Sequence, residues 1–223
     1  MLARTLEPEV MDAVEEVHAY DTMNHSQVNQ KFVEDLLTCF KIQPDSRIVD
    51  LGTGTGLIPL EFVRQSSNGT ITGLDLSAEM IQAARKHLLT HAVGDRIEFQ
   101  QADATATLLP AESYDMVMSN SIVHHIPEPL NLFVEATRLL KSGGQMFVRD
   151  LLRPDSAEEV EKLVQLHAAN DTEFQQQLLR QSLHAALTVS EVESILNKIP
   201  DLQPKVVQTS DRHWTVTGQK GST

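Results

Sequence analysis

The chain lacks the features that would mark it as a secreted or membrane-spanning protein. Its single cysteine, Cys39, cannot form a disulfide within the chain, and no apolar run approaches the roughly 20 residues that a membrane-spanning helix needs. The first eight residues carry no apolar segment of a secretory signal. We therefore expect a cytoplasmic location and no membrane partner.

Positive charge and aromatic residues are also scarce. Lys and Arg number 18 against 31 Asp and Glu, which gives a formal net charge of −13. A surface of this sign repels phosphate backbones unless basic residues cluster, and the most basic stretch, residues 85–87, has no aromatic residue beside it. Aromatic residues make up 4% of the chain, too few to favour an aromatic cage for a quaternary ammonium group. The composition therefore predicts no nucleic-acid partner.

What the chain does contain is an alternation of short apolar strands and amphipathic helices. Helices of this kind between strands produce a parallel sheet that is covered on both faces. The predicted strands are 47–51, 70–74, 97–99, 114–119 and 145–149, and the helices between them are about 56–65, 77–91 and 129–140. Residues 141–144 predict a turn into the fifth strand. This core predicts an α/β fold.

The segments outside this core predict additions to the same domain. The first 40 residues and residues 155–199 are helical in pattern, the latter with breaks near Asp171, His184 and Thr188. Two short strands near the C-terminus predict a terminal β-hairpin. We predict one domain over 1–223, with a helical N-terminal cap over 1–43, a ligand-binding core over 44–150, and a helical substrate-side insertion plus hairpin over 151–223.

The most informative segment runs from Asp50 to Gly56, where the first strand ends. Gly52, Gly54 and Gly56 recur at every second position, with Thr53 between the first two. Glycines allow a sharp turn and a close approach of a ligand to the backbone, and the following helix N-terminus favours an anionic group. The dinucleotide fingerprint would require Gly or Ala at position 57, but that residue is Leu57.

A second candidate ligand is Asp75, which ends the second strand about 20 residues after the glycine loop. An acid at this position can accept hydrogen bonds from both ribose hydroxyls, and the apolar Leu76 can lie against an adenine ring. The alternative is that Asp75 caps the next helix. Ser77 fits that role better, so we favour the ligand interpretation.

Together these motifs resemble the class I S-adenosylmethionine-dependent methyltransferase family over about residues 45–150. The resemblance also includes residues 101–104, the strand that ends at Asn120, and residues 139–144. It implies a Rossmann-like three-layer sandwich with a mainly parallel seven-stranded sheet whose last strand is antiparallel. It implies S-adenosylmethionine as cofactor, with Asp50, Gly52 and Gly54 around its methionine half. Asp103 would bind the adenine amino group and Ala104 the ring, with Asn120 also in the cofactor site.

Residues 19–24 resemble the Tyr-Asp segment of the methyltransferases of menaquinone and ubiquinone biosynthesis, whose N-terminal helices fold over the cofactor. This implies that Tyr20 contacts the methionine moiety, and His25 is a candidate substrate contact. The alternative for Tyr20 is a tyrosine that packs on the domain at a helix break. Both interpretations stand on the sequence alone.

The adjacent histidines His124 and His125 follow the fourth strand, at the edge of the sheet where ligands bind. Methyl transfer chiefly requires orientation and desolvation of the acceptor, and a histidine can act as a base if the acceptor is protonated. We predict one of them, His124 by preference, as a base or substrate contact; the alternative is that the pair closes a loop. Asp150 and Arg153, after the fifth strand, are candidate substrate contacts, and a surface salt bridge between Arg149 and Asp150 is the alternative.

No metal site is predicted. His87 and His91 have the spacing of a metal pair on one helix, but no third ligand is apparent from the sequence. The predicted function is methyl transfer to a small-molecule acceptor. Two alternatives are a non-catalytic protein that binds S-adenosylmethionine and a nicotinamide-dependent oxidoreductase, which Leu57 and residues 101–104 disfavour.

Overall fold

A seven-stranded sheet forms the centre of the computed structural model, which describes residues 2–7, 17, 21, 26–91 and 94–221. The strands lie in the order β3-β2-β1-β4-β5-β7-β6. Strands β1 to β5 are parallel, whereas β7 runs antiparallel to both of its neighbours, β5 and β6. The strands are β1 (Arg47–Leu51), β2 (Thr70–Asp75), β3 (Ile97–Gln101), β4 (Tyr114–Asn120), β5 (Leu140–Leu151), β6 (Leu202–Gln208) and β7 (His213–Lys220). The predicted Rossmann-like class with its antiparallel C-terminal strand is confirmed.

Helices connect the strands, and side-chain caps fix where several of them begin. The α-helices of the described residues are α1 (Ser26–Cys39), α2 (Leu57–Gln65), α3 (Ala78–Thr90), α4 (Pro129–Leu139), α5 (Ala157–His167), α6 (Glu173–Ala185) and α7 (Val189–Leu196). Ser77 caps α3, and Thr172 and Thr188 form capping boxes at the starts of α6 and α7. These caps explain why the helical pattern of residues 155–199 breaks near Asp171 and Thr188.

The helices form a layer on each face of the sheet. In β1, Ile48 joins an apolar cluster with α1 and α2, whereas its neighbour Val49 joins a cluster with α4 and α7. Met116 and Val117 of β4 divide between the two clusters in the same way. Because successive side chains of a strand point to opposite faces, this alternation builds the predicted three-layer sandwich.

Two segments differ from the sequence prediction. Residues 2–7 are not helical: the Thr5 N–H donates to the His184 carbonyl, and Pro8 disfavours a helical backbone at Glu7. Residues 141–144, predicted as a turn, lie within β5 as an irregularity, where the pairing with β4 shifts between Tyr114 and Met116. In both segments tertiary contacts determine the backbone conformation.

The strand order determines where ligands can bind. Strands β1 and β4 are neighbours, but the chain turns towards β2 after β1 and towards β5 after β4. Their carboxyl ends therefore border the crevice at which open α/β sheets bind ligands. Within the described part of the chain, no helix has the length and apolar character needed to cross a membrane.

Candidate active site

The glycine loop lies at the carboxyl end of β1 and forms one wall of a cleft. Gly52, Gly54 and Gly56 have φ angles of +74°, +55° and +77°, which residues with a Cβ rarely adopt. A Cβ on Gly52 would lie 2.1 Å from the side chain of Ile122. Gly52 and Gly54 line the cleft, so their missing side chains leave it open.

Gly56 and Thr53 lie in the same loop but do not line the cleft; they pack against neighbouring parts of the domain. A Cβ on Gly56 would meet the ring of Phe99 at 2.5 Å, so this glycine allows α2 to begin against the neighbouring elements. The Thr53 side chain is buried, and its hydroxyl would lie 2.7 Å from a Cβ on Gly73. Of the predicted cofactor residues in this loop, the structure therefore brings the first two glycines to the cleft.

Asp75, at the end of β2, is hydrogen-bonded to the glycine loop. Its Oδ2 accepts a hydrogen bond of 2.8 Å from Gly54 N–H, and its Oδ1 accepts one of 3.0 Å from Ser77 N–H. Ser77 itself caps α3 by accepting from Met80 N–H, as the sequence predicts. Asp75 and Leu76 both line the cleft, and Leu76 is 42% exposed there. A charged acceptor and an apolar surface thus lie side by side.

Asp50 lies behind the glycine loop and is 1% exposed. Burial raises the pKa of its carboxyl to about 7; the neighbouring Thr53 hydroxyl opposes the shift, and the charge of Asp75 adds to it. Its Oδ2 has no hydrogen-bond partner among the described residues. A buried carboxylate oxygen without a donor is costly, so a positively charged or hydrogen-bonding ligand at this position would stabilise the site.

The opposite wall of the cleft comes from the loops after β3 and β4. Asp103, Ala104 and Asn120 line it, together with Ile122. Oδ1 of Asp103 accepts hydrogen bonds of 2.7 Å from both the amide and the hydroxyl of Thr105, which fix the carboxyl within its turn. The space inside the cleft, including the part open to solvent, is about 810 Å³.

A second, larger cavity adjoins this cleft. Its space, again including the open part, is about 1550 Å³. Its walls come from α1, from residues 166–171 at the end of α5, from α6, and from the β6–β7 turn. Asn120, Ser121 and His125 line both spaces. We call the first space the cofactor cleft and the second the acceptor cavity.

A strained turn at the end of β4 presents the two histidines at this junction. Ser121 has a φ of +60°, and its N–H donates to the Arg149 carbonyl. The 3₁₀ helix Val123–His125 follows directly. The rings of His124 and His125 lie 4.2 Å apart between centroids. His124 is 3% exposed and lines the acceptor cavity, whereas His125 lines both spaces.

Asp150 is fully buried and orients His124. Nδ1 of His124 donates to Asp150 Oδ1, while the amides of Leu151 and Val123 donate to the same carboxyl at 2.6 Å each. Burial would raise the pKa of Asp150, but the charge and hydrogen bond of His124 lower it overall. Burial would likewise lower the pKa of His124, but Asp150 and Glu7 raise it. Asp150, which the sequence predicted as a substrate contact, therefore lies behind His124.

Arg149 and Arg153 point away from the junction. Arg149 binds Asp35 and the Thr215 hydroxyl, so the mutual salt bridge considered for Arg149 and Asp150 is not formed. The guanidinium of Arg153 is buried against Glu191, at 2.6 Å, and the Ala186 carbonyl, at 2.8 Å. Arg153 lines neither the cofactor cleft nor the acceptor cavity.

Two further residues at the site were not identified from the sequence. Glu7 is 6% exposed and lies within 3.3 Å of both histidine rings. His213 lines the acceptor cavity, and burial, followed by the charges of Arg212 and Arg149, lowers its pKa to about 4. Neither lies in a local motif. Tyr20 and His25, the predicted contacts of the N-terminal segment, lie outside the described residues.

Comparison with known proteins identifies the family. The sequence model of a family described as a methyltransferase domain matches residues 42–202. The chain belongs to this family. The match includes the glycine loop, Asp75 and the histidine pair, so the methyltransferase domain contains both the cofactor cleft and the junction with the acceptor cavity.

Curated relatives of the methyltransferase domain share about half of this chain. The chain is 31% identical over 114 residues to the ubiquinone/menaquinone biosynthesis C-methyltransferase of Hahella chejuensis, which covers 51% of this chain and 46% of that protein. It is 25% identical over 126 residues to the 27-O-demethylrifamycin SV methyltransferase of Amycolatopsis mediterranei, covering 56% and 46%. The matches thus span a little under half the length of these relatives.

Solved structures share the fold over nearly the whole chain. A putative S-adenosyl-L-methionine-dependent methyltransferase from Methanococcus maripaludis has a TM-score of 0.73 at 19% identity and covers 98% of both chains. A SAM-dependent methyltransferase from Aquifex aeolicus has a TM-score of 0.71 at 16% identity, covering 94% of this chain and all of that one. At these identities the likeness establishes the fold.

Proposed function

We propose that this methyltransferase domain transfers a methyl group from S-adenosylmethionine to a small-molecule acceptor. One observation carries the proposal: the cofactor cleft and the acceptor cavity meet at Asn120, Ser121 and His125. A reaction between two bound molecules needs two spaces that share a wall where the reacting atoms meet. The family and the names of its relatives support methyl transfer as that reaction.

The side chains of the cofactor cleft fit the parts of S-adenosylmethionine. Asp75 offers carboxylate oxygens to ribose hydroxyls, and the exposed Leu76 offers an apolar surface to adenine. Asp103 and Ala104, on the opposite wall, would hold the adenine edge. Gly52 and Gly54 leave room for the methionine half, whose positive charge would favour the ionised form of the buried Asp50. When bound, the cofactor supplies an electrophilic methyl group.

The residues at the junction orient the acceptor. His125 faces both spaces, so we assign it the contact with the nucleophilic atom of the acceptor. His124 lies against the His125 ring and is held by Asp150, so it is a positioning residue. Holding the nucleophile in line with the methyl group supplies several kcal/mol of the rate enhancement.

A small metabolite is the acceptor class that the molecule favours. The net charge of −13 disfavours nucleic acids, and both polar and apolar side chains line the acceptor cavity. The named relatives act in ubiquinone and menaquinone biosynthesis or on a rifamycin, all small molecules. The cytoplasmic location stays a prediction from the sequence.

The first experiment separates the cofactor classes. S-adenosylhomocysteine and NADH are titrated into the purified protein by calorimetry. We expect saturable binding of the former and none of the latter. Absence of S-adenosylhomocysteine binding, or a preference for NADH, would overturn the proposal.

The second experiment tests catalysis. Methyl-labelled cofactor is incubated with a metabolite extract and the protein, and labelled products are separated by size. We expect a labelled small molecule, and about a tenfold or greater loss of turnover in His125→Gln with the affinity for S-adenosylhomocysteine retained. His91→Gln, at an exposed histidine that follows the last residue of α3, is the matched control and should keep full turnover. Equal turnover of both variants would refute the role of His125.

A further inference from the structure

Glu7, His124 and His125 bring three metal-ligating side chains together beside the acceptor cavity. Oε1 of Glu7 lies 3.3 Å from Nε2 of His124 and 3.2 Å from Nδ1 of His125. Within the described residues, these are the only three such side chains whose ligand atoms all lie within 4.8 Å of one another. Glu7 comes from the N-terminal segment, far from both histidines in the sequence.

The two distances from Glu7 to the histidine nitrogens fit a shared cation. Bonds from Zn²⁺ to imidazole nitrogen or carboxylate oxygen are about 2.0–2.2 Å long, so ligand atoms at right angles or at a tetrahedral angle are roughly 2.8–3.6 Å apart. The two distances from Glu7 Oε1 lie within this interval. Two histidines and one carboxylate are also a donor set that borderline divalent cations favour.

One buried oxygen of the cluster lacks a hydrogen-bond donor among the described residues. Nδ1 of His124 donates its hydrogen to the carboxylate of Asp150, and Nε2 of the same ring faces Glu7. Oε1 of Glu7 accepts no hydrogen bond from any residue that the structure describes, although the side chain is 94% buried. A cation bound beside this oxygen would stabilise the buried carboxylate.

The neighbours of these ligands resemble the outer shell of a metal site. Metal-bound histidines characteristically donate their other ring nitrogen to a carboxylate, as His124 does to Asp150. The second oxygen of Glu7 accepts from the Ser182 hydroxyl at 3.3 Å. Arg4, the adjacent cation, donates to the carbonyls of His124, Ile126 and Ala185 instead of to Glu7.

We propose that Glu7, His124 and His125 form a binding site for a borderline divalent cation of the Zn²⁺ type at the wall of the acceptor cavity. Three protein ligands leave at least one coordination position of such a cation for another molecule. Both histidines line the acceptor cavity. The cation therefore selects acceptors with an oxygen donor, such as a phenol, an enol or a carboxylate; this last step rests on the proposed function.

The binding test needs neither cofactor nor acceptor. The full chain is freed of metal with a chelator and titrated with Zn²⁺ by calorimetry, and its metal content is measured after desalting. We expect one Zn²⁺ per chain, and an affinity at least tenfold lower in both Glu7→Gln and His125→Gln. Circular dichroism checks that each variant is folded, and His91→Gln is the control because His87 and His91 form the other histidine pair with metal spacing.

Each outcome of this titration decides for or against the site. Loss of binding in Glu7→Gln and His125→Gln but not in His91→Gln supports it. No saturable binding by the wild-type chain, loss in His91→Gln, or full affinity in either Glu7→Gln or His125→Gln overturns it. A negative Zn²⁺ titration would overturn the metal site but not the proposed methyl transfer. Absence of S-adenosylhomocysteine binding would overturn the proposed methyl transfer but not the metal site.

The open coordination position has its own test. Co²⁺ replaces Zn²⁺ as a visible probe, and acetohydroxamate, a small oxygen chelator, is added to the loaded protein. We expect the Co²⁺ absorption bands to shift in a saturable way. Unchanged bands would show that the cation has no position open to an oxygen ligand and would overturn the inferred acceptor class.

Discussion

The cofactor cleft and the acceptor cavity are built in different ways. One wall of the cofactor cleft consists of residues close together in the sequence, the glycine loop and the end of β2, which adjacent parallel strands bring to one edge. The acceptor cavity combines α1, the segment between α5 and α6, and the β6–β7 turn, and Glu7 lies against the two histidines that line it. Backbone conformation dominates the first region, and contacts between distant segments dominate the second.

The largest expected effect is on the backbone of the cofactor cleft. Gly52→Ala should weaken S-adenosylhomocysteine binding at least about 100-fold, or about 2.7 kcal/mol, because the new Cβ would collide with Ile122 at a φ of +74°. Calorimetry measures the loss. Gly143→Ala has the same φ of +74° but only Gln219 within 4 Å, at 3.9 Å. Equal weakening by both variants would attribute the effect to general strain rather than to the cleft.

The next effect concerns Arg153, which the sequence predicted as a substrate contact. The prediction tests whether Arg153 instead stabilises the fold on the acceptor side. Arg153→Ala should lower the free energy of unfolding by about 2 kcal/mol, because it leaves Glu191 and the Ala186 carbonyl without their buried donor. Denaturant unfolding measures this. Arg180→Ala, which removes a surface ion pair with Glu161, should leave the free energy of unfolding nearly unchanged. A stable Arg153→Ala protein with impaired turnover would instead establish a substrate contact.

A smaller effect is expected at the end of β2. Asp75→Asn should weaken S-adenosylhomocysteine about tenfold, or about 1.4 kcal/mol, because an amide offers one acceptor oxygen where the carboxylate offers two. The KM of the acceptor should not change, since Asp75 lines the cofactor cleft alone. Asp45→Asn, an exposed acid in the turn before β1, is the control. Unchanged cofactor affinity in Asp75→Asn would contradict the assignment.

The smallest expected effect is a pH dependence that belongs to Asp50. Its folded pKa of about 7 lies above the ordinary value of 3.8, so the stability it contributes is complete below about pH 4 and is lost as the pH rises towards 7. From about pH 5 to about pH 6 the wild type should lose about 1 kcal/mol relative to Asp50→Asn. Urea unfolding at both pH values measures the difference. A parallel pH dependence of the two proteins would refute the shift.

The core of the fold was predictable because its signals are local. The boundaries of β1 were predicted as observed, and those of β2 and β4 within one residue, because apolar runs and turn residues mark them. The break between α5 and α6 followed from residues near Asp171, which precede the cap Thr172. Periodicity and capping act within a few residues, so a single sequence contains them.

The acceptor side was less predictable because its interactions join distant segments. Asp150 and Arg153 were both expected to contact substrate, but the structure directs one to His124 and the other to Glu191. Strand alternation indicates that Arg149 and Asp150 face opposite sides, yet it does not say which partners they meet. Glu7 has no motif at all, and only its tertiary position brings it to the histidines.

The sequence alone determined the α/β architecture, the glycine loop and the acid at the end of β2, because strand periodicity, positive-φ positions and helix caps depend on neighbouring residues. The tertiary structure alone decided that His125 faces both spaces, that Asp150 orients His124, and that Glu7 completes the three-ligand cluster. Those arrangements depend on how distant segments are packed together, and the free energy of that packing is not encoded in any local pattern.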